Sequence, residues 1–346
     1  MEHLLLVAPN WLGDTLFATA VIRAIKSREP QLHLAVLCVP RAAEMLRGNP
    51  RINELIVYDE WGRDRSWPAK WRLAQRLRRR AFDAALLLRP SLSRALILWW
   101  ARIPQRIGHA RGKSRWLLTH RVPLPSEPLH RAEGYLRLLT ALGWPLPVDT
   151  SCEFFVREAD RIWARGWLEA HGVTPHRPLV ILHPAGNWAH KRWPVERFAA
   201  LGDRLQEAHG VQLLITGGTA DQRVAEEVRL AMRTPALVAA GETTVHQLGV
   251  LIERADLLVV NDSGPLHIAA ALTRPFVALF GPTSPALTGP YHATSGRVLH
   301  HPGCCPKIPC YSPDRPPHRG MLSLTIDEVF ESSQQLLQQG ATVRHG

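Results

Sequence analysis

Residues 259–272 read VVNDSGPLHIAAAL, and their order places an acid, a hydroxyl and a glycine where an apolar run passes into a helix of small residues. Asp262, Ser263 and Gly264 stand at the carboxyl edge of an expected strand, and Pro265 suits a first helical position, where a missing N–H costs nothing. Free amide hydrogens and the positive end of a helix at such a corner can hold an anion. Gly264 lets a phosphate come close, and His267, one turn on, reaches the same place. Plain capping by Asp262 or Ser263, with His267 a satisfied core histidine, accounts for the same residues.

Three further loops of the second half carry comparable chemistry. The run LVIL ends in His183-Pro-Ala-Gly-Asn-Trp, with Lys191-Arg-Trp-Pro just before the next helix. Gly186 and Asn187 would form a loop against a pyrophosphate, with Lys191 as a point charge and Arg192 as a second cation; a solvated lysine before a helix is the plainer alternative. LLITGGTAD offers a glycine loop in which Asp221 either accepts hydrogen bonds from a ribose or caps the following helix. FGPTSP, Phe280 to Pro285, is the fourth. Together these loops make a coherent nucleoside-diphosphate site.

The first loop, Pro9-Asn10-Trp11-Leu12-Gly13-Asp14, differs in kind. Asp14 either caps the first helix or acts as a general base, taking a proton from an acceptor hydroxyl as it attacks a sugar carbon. One glycine is too few for a dinucleotide fingerprint, and neither G-x-G-x-x-G after a strand nor G-x-x-x-x-G-K-[ST] occurs, which argues against a dehydrogenase or a P-loop nucleotidase.

The elements that must carry these loops alternate regularly. Strands are expected at 4–9, 32–39, 54–58 and 84–88, with helices opening at Thr15 and spanning 67–80. A second series starts after the proline-bearing stretch 172–178: LVIL, a helix stopped by Gly210, VQLLI, DQRVAEEVRLAMR, ALVAAG, a helix through 245–253, ADLLVV and PFVALF. Alternating strands and helices argue for parallel α/β sheets, with ligands at the carboxyl ends of the strands. The expected architecture is two doubly wound domains facing a central cleft, residues 1–170 and 171–325. A final helix, 326–339, with its tail to 346, packs back across them.

Composition bounds the rest. With 46% hydrophobic and 21% charged residues the chain resembles ordinary globular proteins. Its most apolar run, ALILWWA at 95–101, is too short to span a membrane, and MEHLLLVAPN lacks the basic start of a signal peptide. Five cysteines, Cys38 and Cys152 alone and Cys304, Cys305 and Cys310 together, suggest no disulfide framework and hence a cytoplasmic protein. Zinc on the three clustered cysteines and His318 is disfavoured by the adjacency of Cys304 and Cys305. The formal charge of +12 is concentrated: residues 61–121 hold 16 Lys and Arg against Asp64 and Asp83. A solvated face, nucleic acid, an acidic membrane surface or an acidic substrate all fit that charge. The tryptophans interspersed with it suit an interface between apolar and wet surroundings. No nucleic-acid motif accompanies it.

The combination AP-N-WLGD, HRAEGYLRLL (130–139), HPAGNWAHKRWP, AGETT (240–244) and NDSGPLHIAAALTRPFVALFGPTSP resembles the heptosyltransferases of lipopolysaccharide core synthesis, glycosyltransferase family 9, over nearly the whole chain. Within that family HPAG…KRWP, GET and NDSG point to the type II members, with types I and III as alternatives. The stretch at 303–322 departs from the family in having Arg319 and Gly320 where a further cysteine is expected. The resemblance implies a GT-B fold of two Rossmann-like domains and inverting, metal-independent transfer from ADP-heptose to a lipid A–Kdo–heptose acceptor. It implies a monomer that works at the anionic inner face of the cytoplasmic membrane and has no nucleic-acid partner. By position, Asp14 matches the catalytic base. Gly186, Asn187, Lys191, Thr243, Asp262, Ser263, Gly264 and His267 match the donor site, and Asp221 does so more loosely. Asn10, Trp11 and Gly13, with the basic residues Arg106, Arg111 and Lys113, would meet the acceptor.

Overall fold

The computed structural model describes residues 1–124, 126–304, 308–310 and 317–345, leaving aside the side chains of 304 and 341–345. It divides into two compact units, Met1–Phe155 and Val156–Gly346.

In the first unit the strands are β1 (His3–Val7), β2 (His33–Cys38), β3 (Glu54–Val57), β4 (Ala84–Leu87), β5 (Gln105–His109) and β6 (His120–Val122). Between and after them come the helices α1 (Leu12–Arg28), α2 (Pro40–Leu46), α3 (Trp67–Arg79), α4 (Leu92–Trp100) and α5 (Arg131–Leu136). The second unit opens with α6 (Glu158–Ala170). Its strands are β7 (Leu179–His183), β8 (Gln212–Ile215), β9 (Leu237–Val238), β10 (Leu257–Asn261), β11 (Phe276–Phe280) and β12 (Gly296–His300). Its remaining helices are α7 (Val195–His209), α8 (Gln222–Ala231), α9 (Val245–Arg254), α10 (Gly264–Ala271), α11 (Pro285–Thr288), α12 (Arg319–Leu322) and α13 (Ile326–His345).

Both sheets are parallel and share one topology. The first runs β3-β2-β1-β4-β5-β6 and the second β12-β11-β10-β7-β8-β9. Counted from the first strand of each unit, both are the Rossmann order 3-2-1-4-5-6. The central strands LLLV, AALL, LVIL and LLVV are covered on both faces and therefore read as continuous apolar runs, as buried parallel strands do. In each sheet the strand order reverses between the first and fourth strands: β1 against β4, and β7 against β10. Crevices at such switch points, beyond the carboxyl ends of the strands, are where doubly wound sheets bind ligands.

Two boundaries differ from those read in the sequence. Helix α6 belongs with the second unit, so the division falls after Phe155 and not after residue 170. It packs on α9, and Arg161 donates two hydrogen bonds to Glu253 at 3.1 and 2.8 Å. Helix α13 packs on α7 and against β10, β11 and β12, where Val329, Phe330, Leu336 and Leu337 complete the core of the second unit. Among the described residues no helix is long and apolar enough to cross a membrane.

Candidate active site

The loop after β1 carries Asp14 in the first turn of α1. Its carboxylate makes no capping bond to the helix; Trp11 occupies the N-cap position, also without a side-chain bond. Instead the group is buried and clamped from two sides. Arg131, the first residue of α5, donates through Nη1 to both carboxylate oxygens at 2.8 and 3.0 Å. Arg89, just past β4, reaches Oδ2 at 3.1 Å, and the Tyr135 phenol donates to Oδ1 at 3.3 Å. Burial, and then the neighbouring carboxylate, push the Tyr135 phenol up, so it remains a proton donor. Asp14 and Arg89 thus follow β1 and β4, the two strands that flank the first switch point.

Asn10 is held in the same loop. Its amide nitrogen donates to Glu60 at 2.6 Å and its oxygen accepts from Arg94, whose Nη1 also donates to the carbonyl of Ala8 at 2.7 Å. Trp11 is exposed, with the Arg41 guanidinium 4.3 Å from its ring and 4.8 Å from that of Trp61. Arg111 and Lys113 are exposed and follow the carboxyl end of β5. Arg106 is placed differently from the acceptor role read in the sequence. It lies early in β5, paired in register with Ala85, and its guanidinium donates to the carbonyls of Leu117 and Ile103 at 2.7 and 2.5 Å. Those bonds pin the 3-10 turn Lys113–Leu117 and direct the guanidinium into the backbone.

In the second unit the loops after β7, β8, β10 and β11 share one sheet edge. Asp262 accepts from Lys191 Nζ at 2.6 Å and from Thr283 Oγ1 at 2.7 Å. One carboxylate therefore ties together the loops after β7, β10 and β11. Asn261, fully buried at the end of β10, donates to the carbonyls of Pro184 and Ala185 and accepts from Trp193 N at 3.1 Å. That amide fixes the course of the lysine loop. Arg192 braces it as well, donating twice to the Gly186 carbonyl at 2.9 and 2.6 Å, with Nη2 3.8 Å from Asp221. Asp221 caps nothing in α8; it accepts from Gly218 N at 3.0 Å. Asn187 is exposed and Gly186 buried. Thr243 directly precedes Thr244, whose hydroxyl accepts from Gln247 N to cap α9.

In the first turn of α10 no side chain caps the helix. Ser263 is the N-cap residue in extended backbone, with φ −150° and ψ 173°, yet its side chain makes no capping bond. Its hydroxyl is buried and has no hydrogen-bond partner among the described residues. Asp262 faces Lys191 and leaves the helix end to the amides of Gly264 and its neighbours. His267 is buried in the same turn region. His183 at the end of β7 pairs with Thr216 Oγ1 at 3.0 Å, and burial brings its imidazole down to about 4.

The sequence passed over Arg89, Arg131, Tyr135, Asn261 and Thr283. Four lay in plain view: Arg131 and Tyr135 in HRAEGY, Thr283 in FGPTSP and Asn261 in VVNDSG. An asparagine ending a run of buried valines and leucines was the signal for Asn261. Cys310 is a free thiol, whereas Cys305 and the Cys304 side chain, on which a zinc reading depended, lie outside the described residues.

Paired Rossmann sheets, each with an ion pair across its switch point, define a two-domain α/β protein of the GT-B type. The pattern of glycosyltransferase family 9 (heptosyltransferase) matches residues 70–313, and the chain belongs to that family. Lipopolysaccharide heptosyltransferase 2 of Escherichia coli K12 is 28% identical over 97% of this chain and 99% of its own length. Among solved structures, a family 9 glycosyltransferase from Veillonella parvula superposes with a TM-score of 0.86 at 25% identity, covering 98% of this chain and 97% of the other. The structure of E. coli ADP-heptose LPS heptosyltransferase II gives 0.81 at 28% identity, covering 99% and 100%.

Proposed function

We propose that the chain transfers a heptose from ADP-heptose to the first heptose of the lipopolysaccharide inner core, inverting the anomeric carbon in one displacement without a metal. The observation that carries this reading is the second switch point. An ammonium fixed by Asp262, a buried hydroxyl at Ser263 without a partner, and the first amides of α10 converge where a diphosphate can be received. Full-length likeness to a heptosyltransferase 2 supports the choice of donor and acceptor.

In the displacement, the acceptor hydroxyl oxygen forms its bond to the anomeric carbon as the bond from that carbon to the diphosphate oxygen breaks. The proton passes to Asp14, and ADP departs. Negative charge grows on the leaving diphosphate, so Lys191 and the amides at Ser263 and Gly264 stabilise the transition state more than the ground state. Gly186, Asn187 and His267 line the donor, Asp221 faces the ribose and Thr243 the adenosine. Asn10, Trp11, Gly13, Arg111 and Lys113 meet the anionic acceptor. The enzyme works as a monomer on the cytoplasmic side of the inner membrane.

The test is a transfer assay with ADP-heptose and a panel of truncated core acceptors, run on wild type and Asp14→Ala. Loss of a base is expected to lower turnover by about 10²–10⁴-fold with ADP affinity intact. Unchanged turnover would demote Asp14 to a helix-end residue. Failure of the wild type to use any heptose-bearing acceptor, while still binding ADP, would overturn the acceptor assignment.

A further inference from the structure

Six of the 12 tryptophans have large exposed rings, all of them in the first unit, and five lie between residues 61 and 116. Solvent exposure of Trp67 (60%), Trp71 (48%), Trp99 (49%) and Trp116 (67%) is far beyond what a ring gains by packing on its own core. They are grouped. Trp67 and Trp71, one turn apart on α3, each meet Trp100 of α4 edge to face, with centroids 6.0 and 5.5 Å apart. Helix α4 in turn packs on the turn 113–117 that bears Trp116. The inner faces of α3 and α4, with Leu73, Ala74, Leu77, Ala95, Ile97 and Leu98, already fill the core and Trp100 packs partly against it, so the exposed indoles of Trp67, Trp71, Trp99 and Trp116 are surplus to it.

The surroundings of these rings are cationic. Lys70 lies 4.8 Å from the Trp67 ring, Arg115 4.6 Å and Arg121 5.8 Å from that of Trp116, and Arg72 is exposed beside Trp71. Arg102, directly after α4 and its cap, adopts a left-handed φ of 56°, a conformation that favours glycine. No Asp or Glu occurs between Asp83 and residue 121.

We propose that the face formed by α3, α4 and the turn 113–117 docks on a bilayer of anionic lipids, the indoles entering the headgroup region and the lysines and arginines meeting the lipid phosphates. Tryptophan is the side chain suited to a boundary that is apolar on one side and wet on the other. Basic side chains beside it add electrostatic attraction to an anionic leaflet. The phosphates of duplex nucleic acid, whose bases are stacked within the helix, would account for the charge but not for the exposed rings. The inference rests on the proposed function in one respect, that the acceptor is lipid-anchored and so brings the enzyme to such a surface.

Binding to vesicles is measured without donor or acceptor, so it stands or falls apart from the transfer assay. Full-length protein is sedimented with vesicles of phosphatidylethanolamine and phosphatidylglycerol, with neutral phosphatidylcholine vesicles, and with duplex DNA. Two variants, Trp67→Ser/Trp71→Ser/Trp99→Ser and Lys70→Glu/Arg72→Glu, are compared after their unfolding midpoints and ADP affinities are shown to match wild type. Each basic side chain near an anionic leaflet is worth about fivefold in affinity, so the charge variant is expected to bind anionic vesicles at least about 25-fold more weakly. The tryptophan variant is expected to lose at least tenfold. Both should turn over a lipid-free acceptor at the wild-type rate. Vesicle binding unaltered in both variants, equal binding of neutral vesicles, or binding of DNA in place of vesicles would each overturn the proposal.

Discussion

The ammonium of Lys191 sits 2.6 Å from a carboxylate oxygen of Asp262, and the two residues follow β7 and β10, the strands on either side of the second sheet's switch point. Asp14 and Arg89 take the corresponding places in the first sheet at 3.1 Å, with the signs exchanged. The same topology therefore presents a cation after the first strand of one unit and an acid after the first strand of the other. A donor that leaves as a diphosphate needs the former, and an acceptor that gives up a proton needs the latter.

Lys191→Met and Asp262→Asn should separate fold from binding. Methionine would leave the Asp262 carboxylate, 6% exposed, with Thr283 as its remaining side-chain partner among the described residues. Breaking a buried pair in this way costs on the order of 3 kcal/mol, visible as a lower unfolding midpoint. ADP affinity should also fall at least tenfold, since a charged hydrogen bond to phosphate is worth about 1.5–3 kcal/mol. Asp262→Asn keeps a partner for Thr283 and removes a negative charge from the diphosphate's surroundings, so its ADP affinity, read by calorimetry, should fall far less. Equal losses in the two variants would remove the diphosphate from Lys191.

Ser263→Ala tests the turn in the opposite sense. With no partner for its buried hydroxyl among the described residues, the unliganded protein should be as stable as wild type or slightly more so. ADP binding should weaken by about three- to tenfold, the share of one neutral hydrogen bond. A stability loss above about 1 kcal/mol in the unliganded variant would instead mark the hydroxyl as a helix cap.

The legible part of this protein was the part written in apolar runs. Continuous stretches such as LVIL and LLVV announce buried parallel strands, and Gly210, at φ 60°, stops α7 as its position suggests. The strands β5, β6 and β12 were not visible, because QRIGH, HRV and GRVLH carry charge and owe their pairing to neighbours already in the sheet. The site divides along the same line. Types and spacing mark Asp14, Lys191 and the Asp262–Gly264 turn, but the partners Arg89, Arg131 and Thr283 are 75, 117 and 21 residues away from the carboxylates they meet. No local pattern encodes such distances. Arg106 shows a related limit: charge alone says nothing of whether a guanidinium faces a ligand or, as its Nε and Nη1 do, the chain's own carbonyls.

Arg131→Ala should act on turnover and not on the donor. Its single nitrogen, bonded to both Asp14 oxygens, sets the plane of the carboxylate, and base catalysis depends on that orientation. A kcat loss of about tenfold or more is expected, with ADP affinity unchanged because Arg131 belongs to the first unit. Tyr135→Phe removes a longer bond, 3.3 Å, and should cost about 1 kcal/mol of stability or less and correspondingly little rate. ADP affinity falling in step with kcat in Arg131→Ala would contradict this separation.

His183 is buried against Thr216, and burial holds its imidazole down to about 4, with Asp221 acting the other way. An unfolded histidine titrates near 6.5, so between those values the unfolded chain binds a proton that the folded one refuses. Stability from this group is complete above about pH 6.5 and drains as pH falls toward 4, by about 3 kcal/mol at most. Because His183 ends β7, on the strand that leads into the Lys191 loop, the loss falls on the donor side. His183→Asn, which keeps a polar atom toward Thr216 but does not titrate, should flatten the decline in unfolding midpoint between pH 7 and 5. An identical decline in wild type and variant would assign the acid sensitivity to other groups.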